Sequence, residues 1–143
     1  RTGVTAMREY EAEDLRQQQR DAVLKSGGYL MEHLQRVPVM IIPCIEGRFE
    51  EDDVFTQASM WGSILPATWS LMLALRSRRL ASAWTTLHLQ YEQEVSALLG
   101  IPSNYTQAAL LPVAWLTGGD LKPAKRLPVE EVTYWGKWGQ WRE

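Results

Sequence analysis

From Phe55 to Leu75 (FTQASMWGSILPATWSLMLAL) the chain carries twenty-one consecutive residues without a charge. Glu50, Glu51, Asp52 and Asp53 precede it, and Arg76, Arg78 and Arg79 follow it. Carboxylates at a helix start and guanidiniums at its end oppose the backbone dipole, so the pattern predicts one long helix with marked ends. Its middle is apolar on nearly every face, unlike a helix wet on one side. A membrane span needs about 20 apolar residues, so length alone leaves two environments open. Polar Thr56, Gln57, Ser59, Ser63, Thr68 and Ser70, with Pro66 near the centre, favour a helix enclosed by protein, inside the fold or between subunits. No membrane partner is expected, and Leu71 is expected at the interface if two subunits meet there.

Around this helix the period changes several times. Residues 6–25 are rich in helix formers and predict a surface helix, with Ser26-Gly27-Gly28 as its break and a further turn or two over Tyr29–Leu34. Val37–Ile45 is a β-branched run without alternation and predicts a strand covered on both faces, its prolines Pro38 and Pro43 marking poorly paired ends. Leu80–Leu87 predicts a second buried strand. Tyr91–Leu99 returns to helical spacing and stops at Gly100-Ile101-Pro102. Thr106–Leu116 predicts a third strand, and Thr117–Asp120 a turn. A basic loop bounded by prolines, Lys122 to Pro128, leads to one helical turn at Val129–Val132 and an aromatic tail, Tyr134–Trp141. The fold class is α+β, a single domain over 1–143 with a small sheet flanked by helices; the sense of the strands stays open.

At 143 residues, 45% hydrophobic and 22% charged, the composition is that of an ordinary globular domain. A net charge of −2 supplies no bulk attraction to nucleic acid, and no nucleic-acid partner is expected. One cysteine, Cys44, excludes an internal disulfide and suits a reducing cytoplasm. Seven Trp is high for the length and supplies core volume first, ring-binding surface second.

Motifs for metal, hydrolase or nucleotide-hydrolysis chemistry are missing. His33, Cys44 and His88 lack ligand spacing, GxSxG is absent, and neither a Walker loop nor GxGxxG occurs. The acidic residues at 50–53 are explained as helix-terminus charges. Two features keep a chemical claim. Lys122, Lys125 and Arg126 could grip a phosphate, and Thr85-Thr86 could offer backbone donors and hydroxyls to a heterocycle. Taken alone, each reads more simply as a solvated turn and a strand end.

Taken together, SILPATWSLMLALRSRRLASAWTTLHLQYEQEVSALLGIP, then ALLPVAWLTGG, then KPAKRLPVEEVTYW, resemble the nitroreductase family of FMN-dependent oxidoreductases. The similarity runs from about Leu34 to Trp138, with no matching motif in Arg1–Leu24. It implies a homodimer built on the long helix, with FMN at the subunit interface. It also implies that the segment Thr85, Thr86, Leu87 and His88 runs past the flavin ring, and that Arg126, with Lys125 beside it, contacts the FMN phosphate. The implied reaction is ping-pong, NAD(P)H reducing FMN and the flavin then reducing a nitroaromatic, quinone or related acceptor. The hydride chemistry belongs to the cofactor, so no catalytic side chain is expected. A flavin-cleaving branch of the same fold shares an S-x-x-x-A pattern, here Ser63 to Ala67, and a non-catalytic fragment acting in dimerisation is the third reading. The chain departs from the family in three places. The arginine-rich segment and Pro-Ser-Asn loop that begin many members have no match, so a C-terminal portion is expected. Trp69-Ser70 stands where many have Gln-Asn, and Arg79-Leu80-Ala81 where many have Gly-Leu-Gly. A left-handed backbone at Arg79 would cost on the order of 1 kcal/mol.

Overall fold

The computed structural model describes residues 14–119 and 123–142. The chain divides into two compact units, one of residues 33–118 and one of residues 1–32 with 119–143. Residues 6–13 of the expected first helix, and Lys122 of the basic loop, lie outside the described residues.

In the central unit the long uncharged stretch is the helix α2, Val54–Ser77, preceded in the chain by the helix α1, Leu15–His33. Asp53 caps α2, its carboxylate accepting the Thr56 amide at 2.8 Å, so the last of the four acidic residues does the work expected of the group. Just upstream, Gly47 has φ +116°, and a side chain there would meet Met60 Cε at 3.2 Å, which suits glycine alone. One face of α2 packs inward: Leu71, Met72 and Leu75 lie on a buried cluster of Ala109, Leu111 and Val113, and Trp61 meets the buried Phe49 ring edge to face at 4.9 Å. Thr68 is buried and donates to the Ile64 carbonyl at 2.8 Å, within one turn of the interruption at Pro66. The other face is open. Phe55, Trp69 and Leu73 are 80%, 56% and 55% exposed and have only small, uncharged neighbours. By length and composition α2 could cross a membrane. Leu71, expected at the interface if two subunits meet there, packs on the core cluster instead, whereas Leu73, two residues on, is exposed.

The strands differ from the expected ones in one systematic way. Val37–Ile45 is not one strand but two, β1 (Val39–Ile41) and β2 (Cys44–Glu46). Thr106–Leu116 likewise divides into β4 (Tyr105–Gln107) and β5 (Leu111–Trp115), and of Leu80–Leu87 only Leu80–Ser82 is a strand, β3. All pairings are antiparallel, in a three-stranded sheet ordered β1-β5-β3 and a two-stranded sheet β2-β4. Ile41 pairs with Leu111 and Cys44 with Gln107, so two residues on one side of the break face three on the other. That is the count of a β-bulge, with Ala108–Leu110 carrying the extra residue opposite Ile42-Pro43. The Pro43 carbonyl accepts the Ala108 amide at 2.9 Å across the break. The covering of both faces expected of Val37–Ile45 fails at Val39 and Met40, which are exposed; it is the run 106–113 that is mostly buried.

Helix ends follow the sequence more closely. The helix α3, Glu92–Leu99, closes at Gly100 with φ 68°, as its glycine-proline stop requires. In the terminal unit α1 runs unbroken through Ser26-Gly27-Gly28. Two glycines cost about 2 kcal/mol of helix propensity, less than enough to override good formers on either side. Val129–Val132 forms the expected single turn, of 3-10 type.

Arg79 has φ 62° and is the only described residue other than glycine in the left-handed region. It follows the last turn of α2, donates to the Arg76 carbonyl at 3.0 Å and accepts the Leu116 amide at 3.0 Å, so the helix end and the start of β3 together hold it there. Arg79→Gly is therefore expected to stabilise the protein by about 0.5–1 kcal/mol, seen as a higher urea midpoint with an unchanged slope.

Candidate functional site

The segment Thr85–His88 follows β3, and the β3–β5 register fixes where it begins. Thr85 pairs with Leu110 in the same register as Leu80 with Trp115 and Ala81 with Ala114: the Thr85 amide donates to the Leu110 carbonyl at 3.1 Å and the Leu110 amide to the Thr85 carbonyl at 2.9 Å. The Thr85 hydroxyl donates to the same Leu110 carbonyl at 2.8 Å. Thr85 is thus an anchor, with its own donors committed. Thr86 and Leu87 are exposed and open a 3-10 turn, Leu87–Tyr91, that runs directly into α3. Residues at the start of a helical turn have amides without an intrahelical acceptor, so Thr86, Leu87 and His88 are the residues of this segment with backbone donors to offer.

Behind the segment stands a polar network that the sequence reading missed. Arg48 grips Glu92 with a two-pronged contact, Nη1 to Oε1 and Nη2 to Oε2, both 2.9 Å, and Nη1 also donates to the Tyr105 carbonyl at 2.9 Å. Arg48 pairs with Glu50 as well. Glu92 accepts the Gln107 amide at 2.9 Å, and the buried Gln107 side chain donates from Nε2 to the Glu92 carbonyl at 3.0 Å and to Ser96 Oγ at 2.8 Å. This ties the first turn of α3 to β4 and to the loop before α2. The Arg48 guanidinium holds the Glu92 carboxyl below its ordinary range, and the carboxylates in turn raise Arg48. A cavity of about 350 Å³ opens beside Arg48, Ser96, Ile101 and Tyr105. Its charged groups are spent on one another, which makes it a structural joint. The signal in the sequence was weak: an arginine in an acidic loop, and one glutamine inside an apolar run.

His88 lies against this network, its Nδ1 and Nε2 buried without a hydrogen-bond partner, as is Gln107 Oε1. Burial lowers its pKa below the ordinary 6.5, outweighing the raising effects of the Gln107 amide beside it and of Glu92. The unfolded chain therefore takes up this proton before the folded one does. Stability falls as pH drops below about 6.5 toward the lowered folded value, and the loss is absent well above 6.5. Replacing His88 by Leu should flatten the thermal midpoint between pH 7 and 5.5. An unchanged profile would show the imidazole titrating freely.

Lys125 and Arg126 belong to the other unit, in the extended stretch before the 3-10 turn Val129–Val132. Both are exposed; the Lys125 carbonyl accepts from Gln19 Nε2 of α1 and from Arg126 Nη1, the latter at 3.1 Å. Neither cation forms an ion pair among the described residues. Two neighbouring charges on a short extended segment with no carboxylate of their own suit a phosphate.

Comparison with known proteins bears on this arrangement directly. No curated protein matches the chain. The model of the nitroreductase family matches residues 3–115, from before α1 to the last residue of β5. It therefore takes in the N-terminal stretch in which no motif was legible, and stops short of the tail that carries Lys125 and Arg126. Matching most of the chain, it settles the family: the chain belongs to the nitroreductase family, whose members are flavin-dependent oxidoreductases, and has the small antiparallel sheets flanked by helices expected of that α+β fold.

Proposed function

We propose that this protein is an FMN-dependent oxidoreductase that takes electrons from NAD(P)H and passes them, in a ping-pong cycle, to a nitroaromatic, quinone or related acceptor. It works in the cytoplasm as a homodimer. The observation that carries the reading is the family match over residues 3–115. Two features support the flavin part of this reading, each within its own unit: the segment Thr86–His88, with amide donors beside the His88 imidazole, for the ring, and Lys125 and Arg126, which form no ion pair among the described residues, for the phosphate.

FMN supplies the hydride chemistry when bound, and the chain's part is binding, orientation and charge. Thr85 locks the segment to Leu110, so that Thr86, Leu87 and His88 present their amides in a fixed direction. Preorganised donors of this kind stabilise negative charge developing on a ring without having to reorganise first. Arg126 provides a planar fork for the phosphate and Lys125 a point charge. His88, held neutral by burial, adds no cation near the ring.

The homodimer rests on α2. A helix with its inner face on the sheet and Phe55, Trp69 and Leu73 turned outward among small uncharged residues leaves an apolar strip that a second copy can cover. The same strip explains why the stretch reads as a membrane span by composition.

Two outcomes check the reading. Purified protein should be yellow or become so with FMN, and Arg126→Ala should weaken FMN retention about tenfold or more, with Lys122→Ala doing less; equal retention in both would remove the phosphate assignment. Leu73→Asp, on the open face, should convert the dimer to monomer in sedimentation without unfolding it, because that side chain leaves the core untouched. A monomeric parent protein would end the interface assignment.

A further inference from the structure

The aromatic tail is folded on itself. The Trp135 amide donates to the Gln140 carbonyl at 2.8 Å, and Lys137 and Gln140 close the turn with amide bonds to the Trp135 and Lys137 carbonyls at 2.8 and 3.2 Å. Gly136 and Gly139, at φ 74° and 81°, permit it. Tyr134 meets Trp138 and Trp141 edge to face, with ring centres 4.8 and 4.6 Å away. Alongside the turn lies a cavity of about 300 Å³ walled by Val129, Trp135 and Trp141. Small-molecule pockets run from roughly 300 to 1,000 Å³, so there is room for a base with its sugar and little more.

The charges lining this cavity are not used. Glu130 and Arg142 both belong to it, yet among the described residues neither makes an ion pair or a hydrogen bond, and Arg142 only rests 4.9 Å above the Trp135 ring. In the Arg48–Glu92 joint, opposite charges in one cavity found each other. Here they stand apart beside two indoles. A ligand that satisfies both has a flat ring, a donor group for the carboxylate and an anion for the guanidinium.

We propose that this cavity binds an adenine nucleotide. The purine stacks on an indole face, its exocyclic amine donates to Glu130, and the phosphate accepts from Arg142. Base stacking on aromatic side chains tolerates any base, so Glu130 is what favours a base carrying an exocyclic amine over hypoxanthine.

The test uses the full chain without flavin, with AMP as the probe, read by tryptophan quenching and by calorimetry. AMP should bind saturably and more tightly than inosine monophosphate, which lacks the amine. Arg142→Ala should weaken AMP about tenfold while leaving adenosine unchanged, and Glu130→Ala should abolish the preference for AMP. Both side chains are exposed and bond to nothing else, so the variants should fold as the parent does. Absence of saturable binding up to about 10 mM AMP, or an unchanged response in either variant, overturns the proposal. Loss of AMP binding in Arg126→Ala also overturns it, since AMP would then sit on the flavin phosphate grip. Colour with FMN is scored separately: protein that binds AMP but not FMN keeps this site and sinks the flavin assignment.

Discussion

The central unit depends on β5, a strand paired along both of its edges. On one edge it meets β1, until the one-residue mismatch of Ile42-Pro43 against Ala108–Leu110 ends that ladder and the β2-β4 pair takes over. On the other edge its ladder with β3 keeps a single register, from Arg79 beside Leu116 through Ala81 beside Ala114 to Thr85 beside Leu110. Backbone groups enclosed by protein need partners, and this second ladder gives Leu110 its partner in Thr85. The bulge splits the sheet on one edge, and the continued register on the other pins the segment that follows β3. Everything proposed for Thr86, Leu87 and His88 rests on that pin, because donors stabilise developing charge only if they do not move.

Rigidity on the far side of the segment has a different origin. The 3-10 turn feeds α3, and α3 is held at its first turn by Glu92, which Arg48 and the Gln107 amide grip together. Gln107 belongs to β4, one residue before the bulge. The strand end and the helix start are therefore joined by charge-assisted bonds, worth more than neutral ones. The imidazole of His88 is enclosed by the same contacts, and its depressed basicity follows from that enclosure.

The helix α2 serves two surfaces at once. Its inner residues fill the core against β5, and its outer residues present small side chains interrupted by Phe55, Trp69 and Leu73. The strain at Arg79 belongs to the same element: a helix that must end and turn at once into β3 forces a left-handed residue, and the chain places an arginine where glycine would sit without penalty.

What the sequence determined by itself was mostly local. The ends of α2, the glycine stop of α3, the single turn at Val129 and the left-handed position at Arg79 were legible because charge, glycine and proline act within a few residues. The family, too, was legible in motif order. The tertiary structure alone decided the rest. Apolar runs do not reveal a bulge, because the strands on either side of Pro43 and Ala108 are equally hydrophobic; the break exists only as a count between two distant segments. Helix propensity pointed to a stop at Gly27-Gly28 that the flanking residues overrode. Leu71 and Leu73 look alike in the sequence, and only packing against β5 tells the core side of α2 from the open one. Arg48, Glu92 and Gln107 are far apart along the chain, and their joint is a fact of the fold, since long-range hydrogen bonds leave no periodic trace in the residues that make them.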